Sequence, residues 1–154
     1  MKLEAEIKQN HFTDNYEKAI INILYTANWL RDIQNSSFKE HDLLIQHYNA
    51  LRIINGRHPN PISPGEIKEV MLDKSNDLTR LLDKLVDKEL IKRDLCENNR
   101  RKMDIVITAK GRKLIQKLEK PLNDIKAEIA DRMTGKEAAQ LNLLLDKLRE
   151  QDLH

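Results

Sequence analysis

Residues that break or cross-link a chain are scarce here. Four glycines and four prolines in 154 residues leave few places where a helix must stop, so the composition predicts long helices. A single cysteine, Cys96, excludes an intrachain disulfide and any CxxC zinc or redox pair, and no metal or cofactor is expected. No apolar run approaches the roughly 20 residues of a membrane span. The opening MKLEAEIKQN lacks the apolar centre of a signal peptide, which predicts a cytoplasmic protein. Glycine this rare gives little backbone for a phosphate-cradling loop, HExxH and GxSxG are absent, and the five histidines are scattered. The chain is therefore not expected to be an enzyme.

What is present is charge on a helical background. Hydrophobic residues make up 40% and charged residues 34%, the balance of a folded globule rather than a disordered tail. The length fits one domain over 1–154. The net charge of +2 is modest, but its distribution is not. Between Arg80 and Lys113 eleven Lys or Arg face six Asp or Glu, which makes this segment the basic pole of the molecule.

Helical spacing begins near Thr13 or Asp14 and carries Tyr16, Ile20, Ile23, Leu24, Ala27 and Leu30 to about Asn35, where Ser36 and Ser37 are expected to interrupt it. Ser37 with Glu40 reads as a capping box opening a second helix through Leu44, Ile45, Tyr48, Leu51 and Ile54. Ser63-Pro64-Gly65-Glu66 opens a third, stapled by Ile62 and Ile67 and ending near Met71 or Leu72. After a break at Asp73-Lys74-Ser75 a fourth helix carries Leu78, Leu81, Leu82, Leu85 and Val86 on one face and Asn76, Thr79, Arg80, Asp83, Lys84 and Asp87 on the other. The period then switches to two: Ile91, Arg93 and Leu95, then Met103, Ile105 and Ile107, predict a β-hairpin with its tip at Glu97–Lys102. Thr108 caps a long helix through Ile129 that Pro121 should kink, and Thr134 with Glu137 opens a last one.

Short helix, turn, amphipathic helix and basic-tipped hairpin is the order of a winged helix-turn-helix, whose second helix enters the major groove while the wing reaches the minor groove. The predicted class is mainly α with a small β-hairpin wing. Ser75, Asn76, Asp77, Thr79 and Arg80 place hydrogen-bonding groups at the start of the fourth helix, within reach of base edges. Arg100 and Arg101 suit the negative potential of a minor groove, and Lys84, Lys102 and Lys110 read as phosphate anchors. Double-stranded DNA is the partner these residues point to. A winged helix used only for protein interaction is the alternative, against which the Arg100–Lys102 run argues.

The stretch Leu78-Thr79-Arg80-Leu81-Leu82-Asp83-Lys84-Leu85 through Ile91-Lys92-Arg93, then Arg100-Arg101 and Ile107-Thr108-Ala109-Lys110-Gly111-Arg112, resembles the signature of the MarR family of bacterial regulators. Two positions depart from it. Asn99 stands where the family has an aspartate two residues before the second wing arginine. Glu89 stands where a glycine ends the recognition helix, at a cost if that residue is left-handed. The resemblance implies a transcriptional repressor, a homodimer held by helices in 1–36 and 111–154, and a DNA-binding lobe over 37–110. It further implies a pseudo-palindromic operator and a cleft for a small aromatic or anionic effector, in which Tyr25, Trp29, His47, Tyr48 and Arg52 are the candidates; core packing is the alternative for the aromatics. Cys96 invites a redox reading, against that of a small buried strand residue. It is not at the N-terminal place used by peroxide-sensing members.

Overall fold

The computed structural model describes residues 1–96 and 99–150, with backbone only at Cys96 and at 99–102. Its elements in chain order are α1 (Leu3–Ile7), α2 (Asn15–Phe38), a 3-10 turn (Lys39–His41), α3 (Ile45–Arg57), α4 (Pro64–Val70), α5 (Leu78–Asp87), β1 (Ile91–Cys96), β2 (Asn99–Ile107), α6 (Ala109–Ala130) and α7 (Gly135–Arg149). The mainly helical class with a two-stranded wing is as expected. No described helix is long and apolar enough to cross a membrane.

Two boundaries differ from the sequence reading. The first long helix does not stop at Asn35, and Ser37 and Glu40 form no capping box. Ser36 and Ser37 instead turn their hydroxyls back onto the Ile33 carbonyl (2.7 and 3.2 Å), which satisfies both inside a helix. Continuing the helix carries Phe38, fully buried, onto the ring of Tyr48 at 5.3 Å. The second predicted helix consequently begins at Ile45, seven residues late. Its free N–H groups are met from elsewhere: Asn35 Oδ1 accepts from Ile45 N–H (2.7 Å) and His47 Nδ1 accepts from Leu44 N–H (3.0 Å). The sequence reading also has no counterpart for α1, which is held to α2 by buried Leu3, a Glu4–Lys18 pair and a Tyr25 hydroxyl donating to Glu6 (2.9 Å).

The remaining start signals act as read. Ser63 and Glu66 form their reciprocal box with Pro64 in the first turn, and Thr134 and Glu137 do the same for α7. Asp77 caps α5 by accepting from Arg80 N–H, and Thr108 caps α6 by accepting from Gly111 N–H. Helix α6 runs through Pro121.

One core lies under α3, α4, α5 and the hairpin, with Leu51, Ile54, Ile67, Leu82, Leu85, Ile91, Ile105 and Leu118 almost wholly buried. The strands pair antiparallel with Ile91 opposite Ile107, Arg93 opposite Ile105 and Leu95 opposite Met103, and an irregularity follows Leu95. Ile62 adds a bridge to Ile105, each donating to the other's carbonyl at 3.0 Å. Ile62 immediately precedes the Ser63 cap, so this bridge ties the start of α4 directly to the wing.

Helix α5 ends in a Schellman turn: Leu90 N–H donates to Leu85 O (2.9 Å) and Glu89 N–H to Val86 O (2.8 Å), with Glu89 left-handed at φ 60°. This motif favours glycine because any Cβ there meets the backbone. Glu89→Gly is expected to stabilise the protein by about 1 kcal/mol, because the Glu89–Lys110 pair it removes is solvent-exposed and such pairs contribute little. An unmoved urea midpoint at constant protein concentration would disprove the strain.

Candidate nucleic-acid interface

The turn between α4 and α5 is organised by Asp73, whose carboxylate accepts from both the backbone and the hydroxyl of Ser75. These bonds hold the Asp73 carboxyl below its ordinary value. Asn76 donates its amide to the Asp73 carbonyl (3.2 Å), and Lys68 reaches back to the Asn76 carbonyl (2.6 Å). The first turn of α5 thus leaves a braced loop with Leu81, Leu82 and Leu85 buried beneath it. Above them Thr79 and Arg80 are exposed. Arg80 pairs with no acid among the described residues. A guanidinium carried on an anchored helix, at its N-terminal turn, is the geometry that reads base edges in a major groove.

Asn76, Asp77, Arg80 and Lys84 line a groove of about 630 Å³ together with Gln46 and His47 from the start of α3. Ser75 and Thr79 stand beside it. Gln46 was not legible as a surface candidate, because nothing local in α3 says that its first turn faces α5. Asp77 is occupied as the α5 cap, and Lys84 lies 3.1 Å from Asp42. Asp42 also takes Lys88 at 3.4 Å, and the two ammonium groups hold its carboxyl below the ordinary range. On the opposite flank Asp83 takes Arg93 of β1 at 2.7 Å. The recognition helix is therefore clamped by ion pairs to the preceding turn and to the wing.

Arg100, Arg101 and Lys102 lie in β2 between Asn99 and Met103, whose partners are Cys96 and Leu95. The backbone thus carries the three cations at the far end of the hairpin from its Ile91–Ile107 base. Their side chains, Glu97 and Asn98 at the tip, and the thiol of Cys96 lie outside the described residues. Lys110 lies at the other end of the wing, paired with Glu89 at 3.0 Å.

The five effector candidates are not brought into one pocket. Tyr25 and Trp29 line a cavity of about 370 Å³ with Glu6, Asn22 and Arg132, and the Arg132 guanidinium stands 5.9 Å from the Trp29 ring centre. His47 belongs to the groove beside α5, Tyr48 is packed in the core, and Arg52 is exposed on α3. Helical spacing along α2 and α3 cannot show this separation, since it depends on how α3 rolls onto Phe38.

His47 is 6% exposed, and burial, helped by the Lys84 ammonium, holds its imidazole below the usual 6.5. A base with a depressed folded value binds fewer protons when folded. Its stabilisation is therefore complete above pH about 6.5 and fades as the pH falls towards the folded value. Denaturation midpoints are expected to drop over that acidic window, and to drop less in His47→Gln, whose amide can still accept from Leu44 N–H. An identical acid profile in the variant would remove His47 as the cause.

Comparison with known proteins places this geometry. Residues 44–103 match the model of the MarR family. A MarR transcription factor from Planctomyces limnophilus is 26% identical and superposes with a TM-score of 0.69 over 88% of this chain and 98% of its own. A mutant MarR from E. coli complexed with operator DNA is 24% identical, with a TM-score of 0.74 over 97% of this chain and 100% of its own. A putative MarR-like transcription regulator from Bacillus cereus ATCC 10987 is 16% identical, with a TM-score of 0.78 over 88% and 96%. Residues 44–103 of this chain thus resemble the winged helix-turn-helix domain of the MarR family, and the chain has the fold of solved MarR-family regulators.

Proposed function

We propose that this protein is a sequence-specific DNA-binding transcriptional repressor that acts in the cytoplasm as a homodimer on a pseudo-palindromic operator. The observation that carries the proposal is the first turn of α5: Thr79 and Arg80 exposed and Arg80 without an acidic partner among the described residues, on a helix whose opposite face is buried. Ser75, Asn76, Thr79 and Arg80 read bases, Asp77 sets the turn that presents them, and Arg100, Arg101 and Lys102 engage the backbone and minor groove. Lys84, bridged to Asp42, sits close enough to that face to exchange its carboxylate for a phosphate. A mutant MarR of E. coli that this chain resembles was captured on operator DNA, which supports reading 37–110 as the DNA-binding lobe.

The dimer reading rests on α7. None of its fifteen residues is buried, and Leu141, Leu144 and Leu148 are each more than two-fifths exposed at spacings that put them on one face. Helix α2 likewise exposes Tyr16, Ile20 and Leu24. Apolar surface in this amount on the helices of 1–36 and 111–154 needs a lid, and a second copy supplies one. A small aromatic or anionic effector that releases the DNA would enter beside Tyr25 and Trp29, where Arg132 offers charge next to an aromatic wall. Tyr48 would respond through the core rather than by contact, while His47 and Arg52 stand apart from this cavity.

Fluorescence anisotropy against the upstream intergenic duplex and a scrambled duplex, across a salt series, tests the proposal. Tight binding to the first, with log K falling linearly in log salt, is expected. Absence of binding to both at low salt would overturn it in favour of a protein-interaction module.

A further inference from the structure

A second concave surface lies away from the groove beside α5. It is a cleft of about 460 Å³ where the 3-10 turn, the end of α5 and the first half of α6 meet, and its mouth holds Lys88, Lys110, Lys113 and Lys117. Leu90 and Leu114 contribute the apolar lining, and His41 closes one side. That volume falls in the range of small-molecule sites, about 300–1,000 Å³.

Its charge is unbalanced. Lys88 leans on Asp42 and Lys110 on Glu89, but Lys113 and Lys117 have no acidic partner among the described residues. The first turn of α6 contains no acid, so Lys110, Arg112 and Lys113 sit where the helix dipole is already positive, an arrangement that costs stability unless an anion relieves it. All four cations lining the cleft are lysines. An ammonium is a point charge that suits a tetrahedral phosphoryl group without demanding the flat two-pronged contact that arginine makes with a carboxylate.

The cleft is remote from the DNA-reading surface. Helix α5 is ten residues long, roughly 15 Å, and the cleft lies past its C-terminal end while Thr79 and Arg80 stand at its start. Along the wing, the base pair Ile91–Ile107 is eight residues from Asn99, roughly 26 Å of extended strand. Lys110 therefore belongs to this cleft rather than to the row of DNA anchors.

We propose that the cleft is a binding site for a small phosphate monoester with an apolar body, the phosphoryl group lying between Lys113, Lys117 and Lys110 and the apolar part against Leu90 and Leu114. The site adjoins Asp42 and Glu89, the exposed carboxylates on which Lys88 and Lys110 lean. The proposal does not depend on the DNA-binding reading.

Titration calorimetry of the full chain with phenyl phosphate and with inorganic phosphate, at matched ionic strength, tests it. Saturable binding of one phenyl phosphate per subunit is expected, several-fold tighter than inorganic phosphate. At least a tenfold weakening is expected in Lys113→Ala/Lys117→Ala, whose side chains are exposed and whose fold is checked by circular dichroism. Absence of saturation in the wild type, equal binding of the two probes, or unchanged affinity in the double variant would each overturn it. A double variant that loses affinity or salt dependence on a scrambled duplex, with no phenyl phosphate binding in the wild type, would show these lysines to be DNA contacts instead.

Discussion

Gly111→Ala is expected to lower the unfolding free energy by about 3 kcal/mol, the largest effect of alanine at any of the four glycines. A Cβ at this position would stand 2.2 Å from the Leu90 carbonyl oxygen and 2.8 Å from Ile107 Cγ1. The first of these is backbone, held by Thr108 N–H and by the Thr108 hydroxyl, both at 3.0 Å, so it cannot retreat without breaking the bonds that seat the α6 cap residue. Gly56→Ala supplies the contrast. Gly56 lies in α3 with nothing within 4 Å of its added methyl, and the same substitution there is expected to stabilise by about 0.5–1 kcal/mol. Urea titrations of the two variants at one protein concentration check both signs, and a Gly111→Ala midpoint at or above the wild-type value would refute the account of the joint.

The second large effect concerns assembly. Leu144→Asp/Leu148→Asp puts two carboxylates on the exposed face of α7 and is expected to convert the protein from a dimer to a species near 18.0 kDa in light scattering. Because both residues are more than half exposed in the single chain, the lobe itself should keep its secondary structure. Operator affinity should then fall by at least about a hundredfold, the advantage lost when two linked reading heads become separate ones. A wild-type protein that is already monomeric, or a double variant that remains dimeric, would contradict the role given to α7.

How much of this was legible in the sequence follows the range of the interactions. Ser63 with Glu66, Thr134 with Glu137 and the Thr108 cap each close over three residues, so their signal is complete in a short window. The hairpin was legible because the spacing switches to two residues from Ile91 and again through Ile105 and Ile107, the pattern of strands that face one core. Ser36 and Ser37 misled because a serine pair scores as a break, whereas burial of Phe38 rewards continuing the helix. Helix α1 carries only Leu3 into the interior, too little periodicity to announce five residues. At Glu89 the resemblance marked the position, but only the backbone shows that the glutamate occupies the left-handed place. The surroundings of the effector candidates were the least legible part: spacing put Tyr25 and Trp29 on one helix and His47 and Tyr48 on the next, and tertiary packing sent them to three different surroundings.

The Leu90 carbonyl also sets how the molecule can bend. It is gripped by Thr108 and overlain by Gly111, and Ile115 and Leu118 continue the contact into the core, so the first ten residues of α6 are welded to the reading head like the root of a lever. Past Leu118 the helix has no buried residue. In the proposed dimer, any change in the separation of the two heads must therefore be absorbed in the outer half of α6 and beyond, leaving the proposed recognition surfaces undeformed while the distance between them is adjusted.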